Sequence, residues 1–159
     1  MTITAEELRR IVRYEPETGD FIWLVGYGRR KAGSIAPKRP YIQFTFQRKL
    51  LYAHRLAWLY VYGQFPDRDL DHINRDPSDN RISNLRLATP QQNSANRPVH
   101  KDSKSGLKGV CALPSGKYMA SIKDGERVKY LGTFDDPNVA YEVFRREEVR
   151  IHGEYAWTA

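Results

Sequence analysis

Apolar and polar positions repeat with two periods along this chain, and each change of period marks an element. Thr4-Ala5-Glu6-Glu7 is a capping-box pattern, with Leu8, Ile11 and Val12 following at helical spacing. This predicts a short first helix, ended by Pro16 and Gly19, with ETGD as a turn. FIWLV (21–25) reads as a strand, and YIQFTF (41–46) can pair with LLYA (50–53) as a hairpin across QRK. HRLAWLYVY (54–62) suits a helix, because Leu56, Leu59 and Tyr60 share a face and Gly63 can stop it.

The next stretch breaks the pattern. Residues 70–97 read as a strand around LDHI, the polar loop RDPSDNRIS, a strand NLRLA, and a short helix opened by Thr89 and Pro90. PVHKDSKSGL (98–107) looks like a linker. KGVCALP, GKYMASIKD and RVKYLGTF then predict three strands joined at PSG and DGE turns. Asp136 and Pro137 open a final helix that runs to Gly153, with Ala140, Val143, Phe144 and Ile151 as its apolar stripe. The expected fold class is α+β. The first domain spans 1–97 with a β-hairpin region at its start, the linker spans 98–107, and a three-stranded antiparallel sheet packed on one helix fills 108–159.

Composition narrows the function. The chain has 159 residues, 40% hydrophobic, and a net charge of +7. No apolar run approaches the ~18 residues of a membrane span, and the first residues lack a signal-peptide stretch. One cysteine, Cys111, excludes an internal disulfide framework and a four-thiolate zinc site. The expected setting is the cytoplasm. Charge is unevenly placed: residues 1–62 carry 11 Lys/Arg against 5 Asp/Glu, and residues 103–132 carry 6 against 2. Two basic regions flank a neutral one, which points to a polyanion as partner.

The neutral region holds the candidate chemistry. In phosphodiester hydrolysis, water must lose a proton as it attacks, and the leaving oxygen must have its growing charge neutralised. A neutral imidazole suits the first task, contributing roughly 10²–10⁴-fold, and a divalent cation suits the second. A hard ion takes oxygen ligands, one or two from protein and the rest from water and phosphate. Asp71 and His72 could meet a phosphate by these two routes, and Asn93 on the short helix offers an amide oxygen. Arg75, Arg81 and Arg86 flank the pair and could fork a phosphate. His54 and Arg55 open an apolar helix, where a phosphate can also bind.

The ordered set D-H-I-N (71–74), D-N-R-x-S-N-L-R (79–86) and T-x-x-x-N (89–93) strongly resembles the HNH endonuclease family, in its phage and homing-type branch. The H-R-L at 54–56 is common in that family too, and residues 1–50 resemble the N-terminal part of such phage proteins more weakly. The resemblance implies a ββα-metal motif holding one divalent ion. His72 would be the general base and Asp71 and Asn93 the metal ligands. Asn84 would be a loop-bracing amide that also helps orient the His. Asn93 stands where the family often has His, and an amide oxygen favours Mg²⁺ or Mn²⁺ over zinc. No cysteine pairs brace the motif, so the Asn-rich loop must hold itself by hydrogen bonds.

The last module has a basic sheet segment and an acidic helical one, so the open sheet face should meet a duplex. Alternation puts Lys117, Met119, Ser121 and Lys123 on that face, with Lys129 and Arg127 extending it and Lys108 nearby. The pattern K-G-V, G-K-Y-x-A-x-I, Y-L-G-T-F-D and A-Y before a helix resembles the plant APETALA-two/ethylene-response-factor DNA-binding domain. Lys108, Cys111, Tyr118 and Tyr130 stand where Arg or Trp is usual there, which implies looser base reading. The two resemblances cover about residues 50–155. They imply a DNA nuclease, acting on double-stranded DNA as a monomer or weak dimer, that leaves 5′-phosphate and 3′-hydroxyl ends. One active site per chain suggests nicking, in a host-cell cytoplasm if the chain is phage-encoded. The alternatives are a non-catalytic DNA-binding regulator on the same scaffold and a structural accessory protein.

Overall fold

The computed structural model of the chain describes residues 3–46 and 48–156. It is a small mixed α/β protein of helices and several short antiparallel sheets. The contacts group into two compact units, Met1–Thr89 and Pro90–Ala159.

The first unit starts as its sequence dictates. Thr4 caps helix α1 (Ala5–Ile11) with the full capping box, accepting from the Glu7 amide while the Glu7 carboxylate accepts from the Thr4 N–H at 2.8 Å. The helix stops earlier than its apolar spacing predicts. Val12 leaves helical geometry, and Val12–Glu15 forms strand β1 against β2 (Asp20–Trp23). The reason is packing: Val12 and Tyr14 are buried and Arg13 is exposed, a two-residue period that faces Trp23 and Phe21 across the hairpin. Gly19 closes the turn at φ 74°, its N–H donating to the Glu15 carbonyl at 2.8 Å.

Strands β3 (Gln43–Phe46) and β4 (Lys49–Tyr52) form the expected hairpin; Gln47, in its link, lies outside the described residues. Helix α2 (Ala53–Tyr62) follows directly and buries Leu56, Ala57 and Leu59. Gly63 ends it in the left-handed region, φ 79°, with its N–H on the Leu59 carbonyl. The core joins α1, the two hairpins and α2 through Leu8, Val12, Phe21, Trp23, Phe44 and Leu56. Strands β5 (Asp69–His72) and β6 (Leu85–Ala88) pair antiparallel, with Asp71 opposite Arg86 and His72 opposite Leu85. The segment between them holds one 3₁₀ turn, Ile82–Asn84.

The second unit opens with helix α3 (Pro90–Ala95). Its sheet runs β7 (Val110–Ala112), β8 (Tyr118–Asp124) and β9 (Arg127–Phe134), antiparallel throughout. Helix α4 (Pro137–His152) starts on an Asp136 side chain that accepts from the Asn138 amide at 2.7 Å. It buries Ala140 and Phe144 against Val110, Ala120 and Ile122. A bulge between Ala120 and Ser121 shifts the register of β9: Ala120 pairs with Gly132, but Ser121 pairs with Tyr130. Among the described residues no helix is long and apolar enough to cross a membrane.

Candidate active site

The polar loop between β5 and β6 is built from its own amides. The Asn84 side chain accepts from the Asn74 backbone N–H at 2.9 Å, and its Nδ2 donates to Asn74 Oδ1 and to the Asp79 carbonyl, both at 2.9 Å. Asn74 Nδ2 donates to Asp79 Oδ2 at 2.7 Å. Asp76 accepts from the backbone and hydroxyl of Ser78. The Arg81 guanidinium bonds Asp79 at 2.6 and 2.9 Å and holds that carboxyl down to a pKa of about 2. Short polar side chains bonding nearby backbone are what let so apolar-poor a segment take one shape.

This loop frames β5. Asp71 and His72 are both buried at the end of that strand. The Asp71 carboxylate takes the Arg86 guanidinium from the facing strand, Nε at 2.9 Å and a second nitrogen at 2.8 Å. The His72 Nε2 lies 3.4 Å from Oδ1 of Asn80, itself almost fully buried. The Asn80 Nδ2 donates to the Ser78 carbonyl, so its oxygen faces the ring. An oxygen acceptor there favours the imidazole tautomer with its proton on Nε2. Burial lowers the His72 pKa, against the opposing pull of Asn80 and of Asp71, Asp79 and Asp76. The ring is therefore neutral near pH 7, the state a proton acceptor needs.

His54, at the start of α2, stands beside it. The two ring centres are 5.3 Å apart and nearly perpendicular, and Tyr52 stacks on the other side of His54 at 5.5 Å. Burial, then His72 and Arg55, lower the His54 pKa to about 4. Arg55 turns to the backbone, bonding the carbonyls of Pro66 at 3.2 Å and Arg68 at 3.5 Å. Arg75 is exposed in the left-handed region, φ 66°, its N–H on the His72 carbonyl at 2.9 Å. The structure thus brings His54, Asp71, His72, Asn84 and Arg86 into one unit. Asn93 sits on α3, in the second unit. Sequence reasoning did not single out Asn80 or Tyr14. The D-N-R wording pointed to Asn80, but nothing local pointed to a tyrosine 66 residues away.

In the second unit the cations divide. Lys123 is exposed and shares the open sheet face with Val128, its register partner, and with the Ser121–Tyr130 pair. Lys129 does not extend that face: it pairs with buried Ile122, and its ammonium meets Glu147 of α4 at 2.7 Å. Arg127 pairs with Asp124 in register on the same helix-facing parity. Lys108 also turns inward, to Glu148 at 2.7 Å and to the Ala95 carbonyl. Lys117 is exposed, 3.1 Å from Asp135.

Residues 51–95, which contain α2, the β5–β6 pair and α3, match the model of the HNH endonuclease family. The chain is 37% identical over 108 residues, 65% of its length, to an uncharacterized HNH endonuclease of Acanthamoeba polyphaga mimivirus, covering 54% of that protein. It is 40% identical over 58 residues, 36% of its length, to Protein 3.8 of Escherichia phage T7, covering 48% of it. The chain spans about half the length of the curated relatives it matches. The part of the chain that matches the HNH endonuclease family is therefore the segment holding His72 and its amide-braced loop.

Proposed function

We propose that the chain is a metal-dependent endonuclease that hydrolyses phosphodiester bonds in double-stranded DNA, nicking one strand. The observation that carries this reading is a neutral, buried imidazole, His72, whose Nε2 faces the Asn80 amide oxygen beside the Asp71 carboxylate. In this reading the lone pair on Nδ1 takes the proton from the attacking water. Asn84 keeps the loop in shape, and Arg86 fixes the direction of the Asp71 carboxylate.

The donors fit a hard divalent ion, Mg²⁺ or Mn²⁺. Asp71 supplies oxygen, and the motif assigns the second oxygen donor to Asn93. A hard ion of this kind takes one or two oxygen donors from protein and the rest from water and phosphate. When bound, such an ion would neutralise charge on the leaving oxygen. His54, Arg55 and Arg75 then line the rim on which the substrate backbone rests. The open sheet face, with Met119, Ser121, Lys123, Val128 and Tyr130, takes the duplex, in the manner of an ethylene-response-factor sheet. The protein works as a monomer or weak dimer in the cytoplasm, that of the host cell if the chain is phage-encoded.

The test is supercoiled plasmid and a genomic DNA library incubated with Mg²⁺ or Mn²⁺, with EDTA, and with His72→Ala. Metal-dependent relaxation that disappears in the variant is the expected result. DNA binding without a nick in any metal or sequence would replace this reading with that of a regulator.

A further inference from the structure

The β1–β2 hairpin lies outside residues 51–95, yet it grips the loop that faces His72. The Tyr14 hydroxyl donates to the Asn80 carbonyl at 2.6 Å in a buried position. Burial pushes the phenol pKa up, opposed by the nearby Ile82 backbone amide, so it stays protonated as a donor. The turn of the hairpin adds two contacts. The Ile82 N–H donates to the Pro16 carbonyl at 3.3 Å. Gly19 is so close that a Cβ there would lie 2.6 Å from the Arg81 nitrogen and 2.8 Å from the Asn80 carbonyl carbon. Residues 80–82 are thus held on the hairpin by a side chain, a backbone bond and a close approach.

The Tyr14 ring is itself fixed. It packs on Phe21 with ring centres 4.8 Å apart and meets the edge of Tyr60 at 5.7 Å. A hydroxyl on a ring packed on two sides gives the Asn80 backbone a fixed partner. The Asn80 side chain then has its Nδ2 on Ser78 and its Oδ1 toward His72. The chain of contacts runs from hairpin to imidazole without a gap.

We propose that Tyr14 is a positioning residue for the DNA-cleaving reaction: through Asn80 it fixes the tautomer and direction of the His72 ring. The assignment rests on the reading of His72 as the base, but its physical content, control of the ring, does not require cleavage to be measured. Tyr14→Phe removes only the hydroxyl and keeps the aromatic packing. Gly19→Ala displaces the same turn without touching the phenol.

The experiment records the ring nitrogens of His72 by long-range ¹H–¹⁵N NMR at pH 8 in the full chain, beside plasmid nicking with saturating Mg²⁺. The wild type should show the Nε2-protonated pattern. Tyr14→Phe should show a mixture of tautomers, and kcat should fall about tenfold with KM unchanged. Gly19→Ala should move both readouts in the same direction. An unchanged ring pattern in both variants overturns the proposal whatever happens to cleavage, and so does a changed ring pattern with kcat intact. If the wild type nicks nothing, the nuclease reading fails, and the ring pattern alone decides whether the hairpin governs His72.

Discussion

His54, in the first turn of α2, and His72, at the end of β5, meet edge to face with ring centres 5.3 Å apart. A second neutral ring beside the proposed base adds no charge. Burial withholds solvation from a protonated His54, and His72 and Arg55 add smaller repulsion, so its pKa falls to about 4 from 6.5. The unfolded chain therefore binds a proton between those values and the native chain does not. Stability rises with pH across the window from about 4 to 6.5 and is flat above it. His54→Gln should flatten that slope, removing up to about 3 kcal/mol of pH-dependent stability, less what local solvent relaxes. Urea denaturation at pH 4.5, 5.5 and 7 checks this; an unaltered slope would mean His54 is solvated.

Asp71 and Arg86 form a cross-strand pair whose side chains are 7% and 12% exposed. Removing one partner leaves a buried charge, so Arg86→Met should cost about 3 kcal/mol. Replacing both, as Asp71→Leu with Arg86→Met, should restore most of the loss, because two apolar side chains need no compensation. The double variant should nonetheless show no Mg²⁺-supported nicking, while its DNA affinity stays close to that of the native chain. Chemical denaturation and plasmid assays separate the two effects. A double variant that cleaves would remove Asp71 from the metal assignment.

Elements announced by local chemistry are legible in the sequence. The Thr4 capping box, the Gly63 stop, the Asp136–Pro137 start and the Asp124–Arg127 hairpin need only neighbours in sequence. Strand β1 is not, because Val12 and Tyr14 satisfy a helical and an extended pattern alike. What decides between them is the Trp23 and Phe21 face they meet across the hairpin. The site divides the same way. Its polar residues declare themselves by spacing, but the hydroxyl from Tyr14 and the ring of His54 arrive through tertiary packing. Simple alternation also fails for Lys129. The tight turn pairs Asp124 with Arg127, so Lys129 falls opposite Ile122 on the helix side and Val128 opposite Lys123 on the open side.

Gly109 carries the packing of the second unit. It has φ 68°, and a Cβ there would lie 2.0 Å from the Phe144 ring. Gly109→Ala combines left-handed strain with a collision against a buried aromatic and should destabilise this unit by at least about 2 kcal/mol. Hydrogen exchange in β7, β8 and α4 should accelerate. Phe144→Leu in the same chain should recover part of the protection by vacating the space; if Gly109→Ala alone leaves exchange unchanged, the packing described here is wrong.

The register of β8 and β9 makes the sheet face testable one lysine at a time. Lys123 stands on the open side with Val128 and Tyr130, which are 70% and 61% exposed, while Lys129 is engaged by Glu147 on the helix side. If a duplex lies on the open face, Lys123→Ala removes one phosphate contact, and the slope of log K against log salt should become shallower by about 0.9. Tyr130→Ala should weaken binding with little change in that slope, since a ring contact releases no counterion. Lys129→Ala should change neither measurably. Titration of a labelled duplex at several salt concentrations distinguishes the faces. A larger effect from Lys129 than from Lys123 would place the duplex along the helix side of the sheet edge, where the Glu147 carboxylate opposes it.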